Sequence, residues 1–361
     1  MAKNSSNKNL KKANTSKSDE FYTQLSDIEK ELGNYKVHLK NKIIFCNCDD
    51  PEDSNFWNYF ALNFEYLGLK KLISTHFERE KPSYKLEIVK DTNKDGKINK
   101  LDTIKTPLKQ NGDFRSPECV EILKEADIIV TNPPFSLFRE YLAQLFEYKK
   151  KFIIIGNLNA ITYKETFKLI KENKIWLGQS IHSGDREFKV PEYYPLNSAS
   201  NRIDENGNKY IRVKGVRWFT NLDYKERHDD LILYKTYKGH ENEYPKYENY
   251  NAINVDVTKD IPLDYKGNIG VPITFLDKYS PDQFELVALG IVGSIDFNCN
   301  KKMEILDKDG KPTGKYTFNA KGTLYRLYNP INDKSPAFKD VDTGKLYSSI
   351  YARVIIKNKK I

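Results

Sequence analysis

Asn132-Pro133-Pro134-Phe135 is the stretch whose residue types can do chemistry. The Asn132 side-chain oxygen and a prolyl carbonyl (Pro133 has no N–H to compete) can together accept both protons of one exocyclic amino group. Held in this way, the amino lone pair is discouraged from conjugating with its ring and is free to attack an electrophile. Phe135 offers a face on which a planar base can stack. Consecutive prolines fix this geometry before anything binds, and near-attack geometry decides rate. No strong general base is needed, because the proton leaves after the nitrogen has become cationic. A base inside a duplex must be extruded to reach such a turn, and the electrophile needs a pocket of its own.

The elements that must position this turn are legible around it. Ile128, Ile129 and Val130 form a short β-branched run, the mark of a buried strand in a parallel sheet. The prolines end it, and Phe138, Tyr141, Leu142 and Leu145 then recur at helical spacing. Asn132 and Phe135 therefore sit on a stiff turn at the carboxyl end of a strand, where open α/β sheets bind ligands. Upstream, Ile28, Leu32, Tyr35 and Leu39 predict a helix, and Lys42–Cys48 predicts a strand closed by the acidic turn Asp49–Ser54. A helix with Phe56, Tyr59, Phe60, Phe64 and Leu67 follows, then a strand over Leu69–Phe77 with Glu78 at its end. This alternation predicts an α/β, doubly wound sheet. Its first turn lacks the Gly-x-Gly that admits a pyrophosphate, which disfavours NAD and ATP. Asp49, Asp50, Glu78 and Asp113 at strand ends suit instead a sulfonium, a ribose and an adenine amino group.

The chain has 361 residues, 39% hydrophobic and 30% charged, with a formal charge of +9 and a pI near 9.0, which favours a polyanionic partner. No apolar run reaches the roughly 18 residues of a membrane span, and the lysine-rich start has no apolar signal core. Four scattered cysteines fit a reducing cytoplasm. Residues 1–17 read as a mobile basic tail. After about residue 180 the pattern changes to short β-like pieces punctuated by Pro and Gly, and tyrosines interleave with lysines from Tyr224 to Tyr247. Trp218 and Phe219 could be core or a stacking wall for a base. Asp91–Asp102 matches most of an EF-hand calcium loop, but its flanks read as strands, so a hairpin and no metal is expected. Cys46 and Cys48 have no partner pair at ligand spacing and read as small buried hydrophobes.

The Asn-Pro-Pro-Phe stretch resembles the catalytic motif of S-adenosylmethionine-dependent amino-methyltransferases of DNA. More narrowly, Lys17–Gln24, Cys46–Pro51, Gly112–Ser116, Thr131–Tyr141 and Lys259–Tyr265 resemble the EcoRI-type adenine-specific modification methyltransferases, and Ile355–Lys359 does so more weakly. The resemblance implies a Rossmann-like methyltransferase domain over 18–222 and a smaller β-rich DNA-recognition region over 223–361. It implies methyl transfer from S-adenosylmethionine to adenine N6 in duplex DNA by a cytoplasmic monomer, in a restriction–modification system whose endonuclease is a genetic partner. The site expected from the type member is GAATTC. Asn132, Pro133, Pro134 and Phe135 correspond to the catalytic element. Tyr22 and Thr23 correspond to the element at the methionine end of the cofactor. Cys46, Asn47, Asp49 and Asp50 occupy the place of its usual glycine-rich loop. Glu78 corresponds to the ribose acid and Asp113 with Phe114 to the adenine site; a second aromatic wall is expected near Trp218-Phe219. Two other readings share parts of this pattern: a DNA-binding module without catalysis, and cytosine-N4 transfer.

Overall fold

The β-branched runs become the centre of an eight-stranded sheet in the computed structural model, which describes residues 21–361 except 49, 79–80, 193, 197–200, 298–300 and 319. The expected tail, 1–17, and Asp49 lie outside the described residues. Contacts divide the chain into two units. One runs to Ala160 and takes in Ile175–Lys225; the other joins Ile161–Lys174 to Glu226–Ile361. The sequence places a break at 222/223 and keeps the helix around Phe167 with the first half. In the structure that helix belongs to the second unit.

The first unit opens with β1 (Tyr22–Thr23) and α1 (Leu25–Leu32), whose Ile28 and Leu32 are fully buried. Next come β2 (Ile43–Cys46), α2 (Asn55–Leu62) and β3 (Lys71–Thr75), and the hairpin β4 (Tyr84–Ile88) with β5 (Ile104–Pro107). Then follow α3 (Pro117–Glu125), β6 (Ile128–Thr131), α4 (Phe138–Glu147) and β7 (Lys151–Asn157). After residue 174 come β8 (Trp176–Leu177), β9 (Asp185–Val190), β10 (Arg202–Ile203), β11 (Lys209–Lys214) and β12 (Val216–Thr220). Sheet order is β5-β4-β3-β2-β6-β7-β12-β8. The central β3, β2, β6 and β7 are parallel, and burial on both faces explains their unbroken apolar runs. The sheet is mixed, however: β4 and β5 extend one side antiparallel, and β12 and β8 the other. Helix starts follow local chemistry. Ser54 caps α2 by accepting from the Phe56 amide at 3.1 Å, and Ser116 caps α3 with Pro117 in its first turn. On β7, a Cβ at Gly156 would lie 2.5 Å from the Phe138 ring, so only glycine lets α4 approach so closely. A second, antiparallel sheet is ordered β1-β9-β11-β10.

The second unit contains α5 (Lys164–Lys171) and two sheets. One joins β13 (Ile253–Asn254), β14 (Ile269–Pro272) and β15 (Phe284–Leu289) through the last strand of the chain, Arg353–Asn358. The other has five antiparallel strands between Met303 and Ile350, with Tyr325 and Tyr347 edge to face at 5.2 Å in its core. Among the described residues no helix is long and apolar enough to cross a membrane.

Candidate functional site

The turn after β6 is held by its neighbours before it is held by its prolines. Asn47, directly after β2, is buried and takes two donors: its backbone oxygen accepts from the Thr131 hydroxyl and its Oδ1 from the Tyr141 hydroxyl. One asparagine thus ties the ends of β2 and β6 to α4. Asn132 follows Thr131 and is only 5% exposed. Its Nδ2 donates to the Phe21 carbonyl, which settles the orientation of the amide. The Oδ1 is left buried with no partner among the described residues. Phe135 is half-buried and meets the Phe21 ring edge-on at 5.7 Å, while Phe21 rests against Phe188 and Tyr194.

Next to Phe21, Tyr22 begins the wall of a cleft of about 840 Å³, a size that holds small-molecule ligands. Pairing of β1 with β9 sets Tyr22 opposite Lys189, and the ends of β2 and β3 add Asp50 and Asp53 and then His76, Phe77 and Glu78. Glu192 and Lys209 complete the charged lining. Four carboxylates against two lysines suit a cationic, hydroxyl-bearing ligand better than a phosphate. Burial, helped by Asp53 and Glu52, outweighs the Glu52 amide and His76 and holds the Asp50 carboxyl above the usual range. The His76 ring is fixed by stacking on Tyr84 at 4.8 Å and by a 2.6 Å hydrogen bond with Ser83 Oγ. The Thr23 hydroxyl is a second buried polar atom without a partner among the described residues.

Of the residues singled out in the sequence, Tyr22, Asp50 and Glu78 meet at this cleft, and Thr23 adjoins it. Others serve the frame. Cys46 is fully buried, its carbonyl accepting from Ser74 Oγ at 2.6 Å, and Asn47 is the brace already described. Asp113 and Phe114 do not reach the cleft wall. Asp113 is gripped by Arg115 at 2.7 and 2.9 Å, and Phe114 lies buried edge-on to Tyr141 at 5.1 Å. Trp218 and Phe219 are fully buried in β12, Trp218 against Phe56 at 6.0 Å and Phe219 against Phe138 at 5.0 Å. They are core, and neither ring is open to a base. The Asp91–Asp102 loop closes the β4–β5 hairpin. Asp91 accepts from the Lys94 and Gly96 amides, and Asp102 from the Thr92 and Asn99 amides. Among the described residues no group of three or more His, Cys, Asp or Glu is placed to hold a metal. Sequence reading missed His76, Phe77, Lys189 and Asn206–Lys209. The first two carried a signal, since they precede Glu78 at a strand end; the others come from a sheet with no marker in the sequence.

A family model described as adenine-specific methyltransferase EcoRI matches residues 9–359. The type II methyltransferase M.EcoRI of Escherichia coli is 55% identical over 295 residues, 80% of this chain and 90% of that one. M.MgeORF184P of Mycoplasma genitalium and M.MpnI of Mycoplasma pneumoniae, also type II methyltransferases, are 41% and 40% identical over 278 residues, 76% of this chain and 84% of each of theirs. No solved structure matches the chain. The match runs through both units and takes in the buried acceptor of Asn132 and the acidic cleft beside it: the chain belongs to the EcoRI family of adenine-specific methyltransferases.

Proposed function

We propose that the enzyme transfers a methyl group to N6 of adenine in a specific duplex DNA sequence, within a restriction–modification system. One observation carries the reading: a buried amide whose nitrogen is tied to Phe21 and whose oxygen is left as an unpartnered acceptor, on a proline-fixed turn. An exocyclic amino group supplies the proton that this oxygen lacks. The Pro133 carbonyl takes the second proton, and Phe135 stacks on the extruded base. S-adenosylmethionine, when bound, supplies the electrophilic methyl. Tyr22, Thr23, Asp50 and Glu78 would hold it, Glu78 at the ribose hydroxyls and the Thr23 hydroxyl at the methionine end. Asp113 and Phe114 act on that site through the loop that seats His76 and Phe77. The first unit is the catalytic one and the second reads the DNA, as a cytoplasmic monomer. The endonuclease it counters is a genetic partner, and the expected site is GAATTC.

The test is transfer of labelled methyl to duplexes of varied sequence, with Asn132→Ala alongside wild type. Wild type should label adenine alone, and the variant should lose transfer by at least about 100-fold while keeping its DNA affinity. Label on cytosine, or none despite cofactor binding, overturns the assignment. Unchanged turnover in Asn132→Ala overturns the role of the amide.

A further inference from the structure

The hydrogens of His76 can be assigned from its neighbours. Ser83 Oγ lies 2.7 Å from the His76 carbonyl oxygen and 2.6 Å from His76 Nδ1. A carbonyl oxygen only accepts, so the single hydroxyl hydrogen of Ser83 goes to it, and Ser83 Oγ must accept at its other contact. Nδ1 therefore carries a proton. A ring turned over would set a carbon against Ser83 Oγ, so the same contact fixes the orientation, and stacking on Tyr84 within 5° fixes the plane. A neutral ring with its proton on Nδ1 offers a bare acceptor at Nε2. That acceptor faces another. Asp50 Oδ2 is 3.6 Å from Nε2, too far for a hydrogen bond between them. The other carboxyl oxygen of Asp50, Oδ1, accepts from the Glu52 amide at 2.9 Å. Among the described residues nothing donates to Nε2 or to Oδ2. Both side chains can be reached from the cleft: they line its wall, His76 19% and Asp50 28% exposed.

Two bare acceptors side by side suit a group with two hydrogens to give. One nitrogen carrying two N–H groups can reach both, because acceptors 3.6 Å apart can each lie about 2.9 Å from a common donor. Two adjacent hydroxyls can do the same. A phosphate or carboxylate brings only acceptors and would be repelled at both. The lysines of the wall do not fill the pair. Lys189 is bound to Asp53 at 3.3 Å, and Lys209 donates to the main-chain oxygens of Glu192 and Tyr194. We propose that His76 is a binding residue, its Nε2 and Asp50 Oδ2 together taking one donor group of the molecule held in this cleft. The proposal rests on the reading of the cleft as the S-adenosylmethionine site. Three parts of that molecule share the required chemistry: the ammonium, the ribose hydroxyl pair and the adenine amino group.

Calorimetry on the full-length protein measures binding of S-adenosylhomocysteine, which has all three groups and no methyl to transfer, and of its analogues lacking the ammonium, the ribose hydroxyls or the adenine amino group. The proteins are wild type, His76→Phe, which keeps a ring and removes Nε2, and His76→Gln, which brings back an acceptor. His76→Phe should bind S-adenosylhomocysteine about 10-fold more weakly, the effect of one ordinary hydrogen bond, and His76→Gln should recover part of the loss. The analogue lacking the group held by the pair should bind wild type and His76→Phe alike, which identifies that group. A residue that only supports the cleft wall would weaken every ligand by one factor. The same weakening for all four ligands, or none for any, overturns the proposal. If His76→Phe does not fold, Asp50→Asn, which sets a donor beside Nε2, runs the same comparison. Wild type that binds none of the four ligands overturns the reading of the cleft itself, and wild type that binds them without any such coupling overturns the role of His76 alone.

Discussion

Replacing Tyr141 by Phe removes one oxygen from the interior and leaves the ring in place. The hydroxyl donates to Asn47 Oδ1, and both residues are at most 1% exposed, so water cannot replace it. The loss combines one hydrogen bond with the stranding of a buried acceptor, about 1–3 kcal/mol. At about 2 kcal/mol and a urea slope of about 2–3 kcal/mol/M, the unfolding midpoint falls by roughly 0.7–1 M with the slope unchanged. The assay is a double-mutant cycle with Asn47→Ala. If the two side chains act through one bond, Tyr141→Phe costs much less in the Asn47→Ala background, a coupling of at least about 0.5 kcal/mol. Thr131→Val should lower the midpoint by a similar amount through the Asn47 backbone oxygen, and it should lower kcat as well, because Thr131 immediately precedes Asn132. Strict additivity of Tyr141→Phe and Asn47→Ala would refute the brace, since independent losses mean that the two groups do not share a bond.

Three further outcomes follow from the same geometry. Glu31 is fully buried and accepts from Tyr35 Oη at 2.8 Å and from the Gln179 and Ser180 amides at 3.0 and 2.7 Å; Glu31→Gln faces at least one of these donors with another donor and should cost about 2–4 kcal/mol in urea unfolding. Gly112 has φ +79°, and a Cβ there would fall 1.9 Å from the His76 carbonyl oxygen, so Gly112→Ala should destabilise by more than about 1 kcal/mol and weaken cofactor binding measured by calorimetry. Burial pushes the Asp113 carboxyl up, but the hydrogen bonds and charge of Arg115 outweigh it and hold it below the usual range. That stability is present above the unfolded value of about 4 and is lost as pH falls through the folded one, so the difference between wild type and Arg115→Ala should be full at neutral pH and shrink below about pH 4.

What could be read in the sequence was local. Ile128–Val130 followed by two prolines dictates a strand and a stop without help from distant residues, so the place of Asn132 and Phe135 was legible. Tyr22, Asp50 and Glu78 were legible because each lies at or beside the end of an element. Lys189 and Asn206–Lys209 were not, because Lys189 reaches the cleft through β9, whose pairing with β1 joins residues more than 160 apart, and Asn206–Lys209 lie at the start of β11, which pairs with β9 in turn. Trp218 and Phe219 show the opposite limit: adjacent aromatics read alike as core or as wall, and their neighbours Phe56 and Phe138, distant in sequence, decide for core. The EF-hand spacing at Asp91–Asp102 arises because carboxylates that cap backbone amides in a tight loop occur at the same intervals as carboxylates that surround an ion.

Asn132 and Asn254 apply one device in opposite senses. A primary amide carries a donor end and an acceptor end, and at ordinary sites either can face a ligand. In Asn132 the donor end is fixed to Phe21, so only an acceptor is presented. In Asn254 the acceptor end is fixed by Tyr247 and Arg353, so only a donor is presented. A partner complementary to Asn132 must therefore bring an N–H, as an exocyclic amino group does.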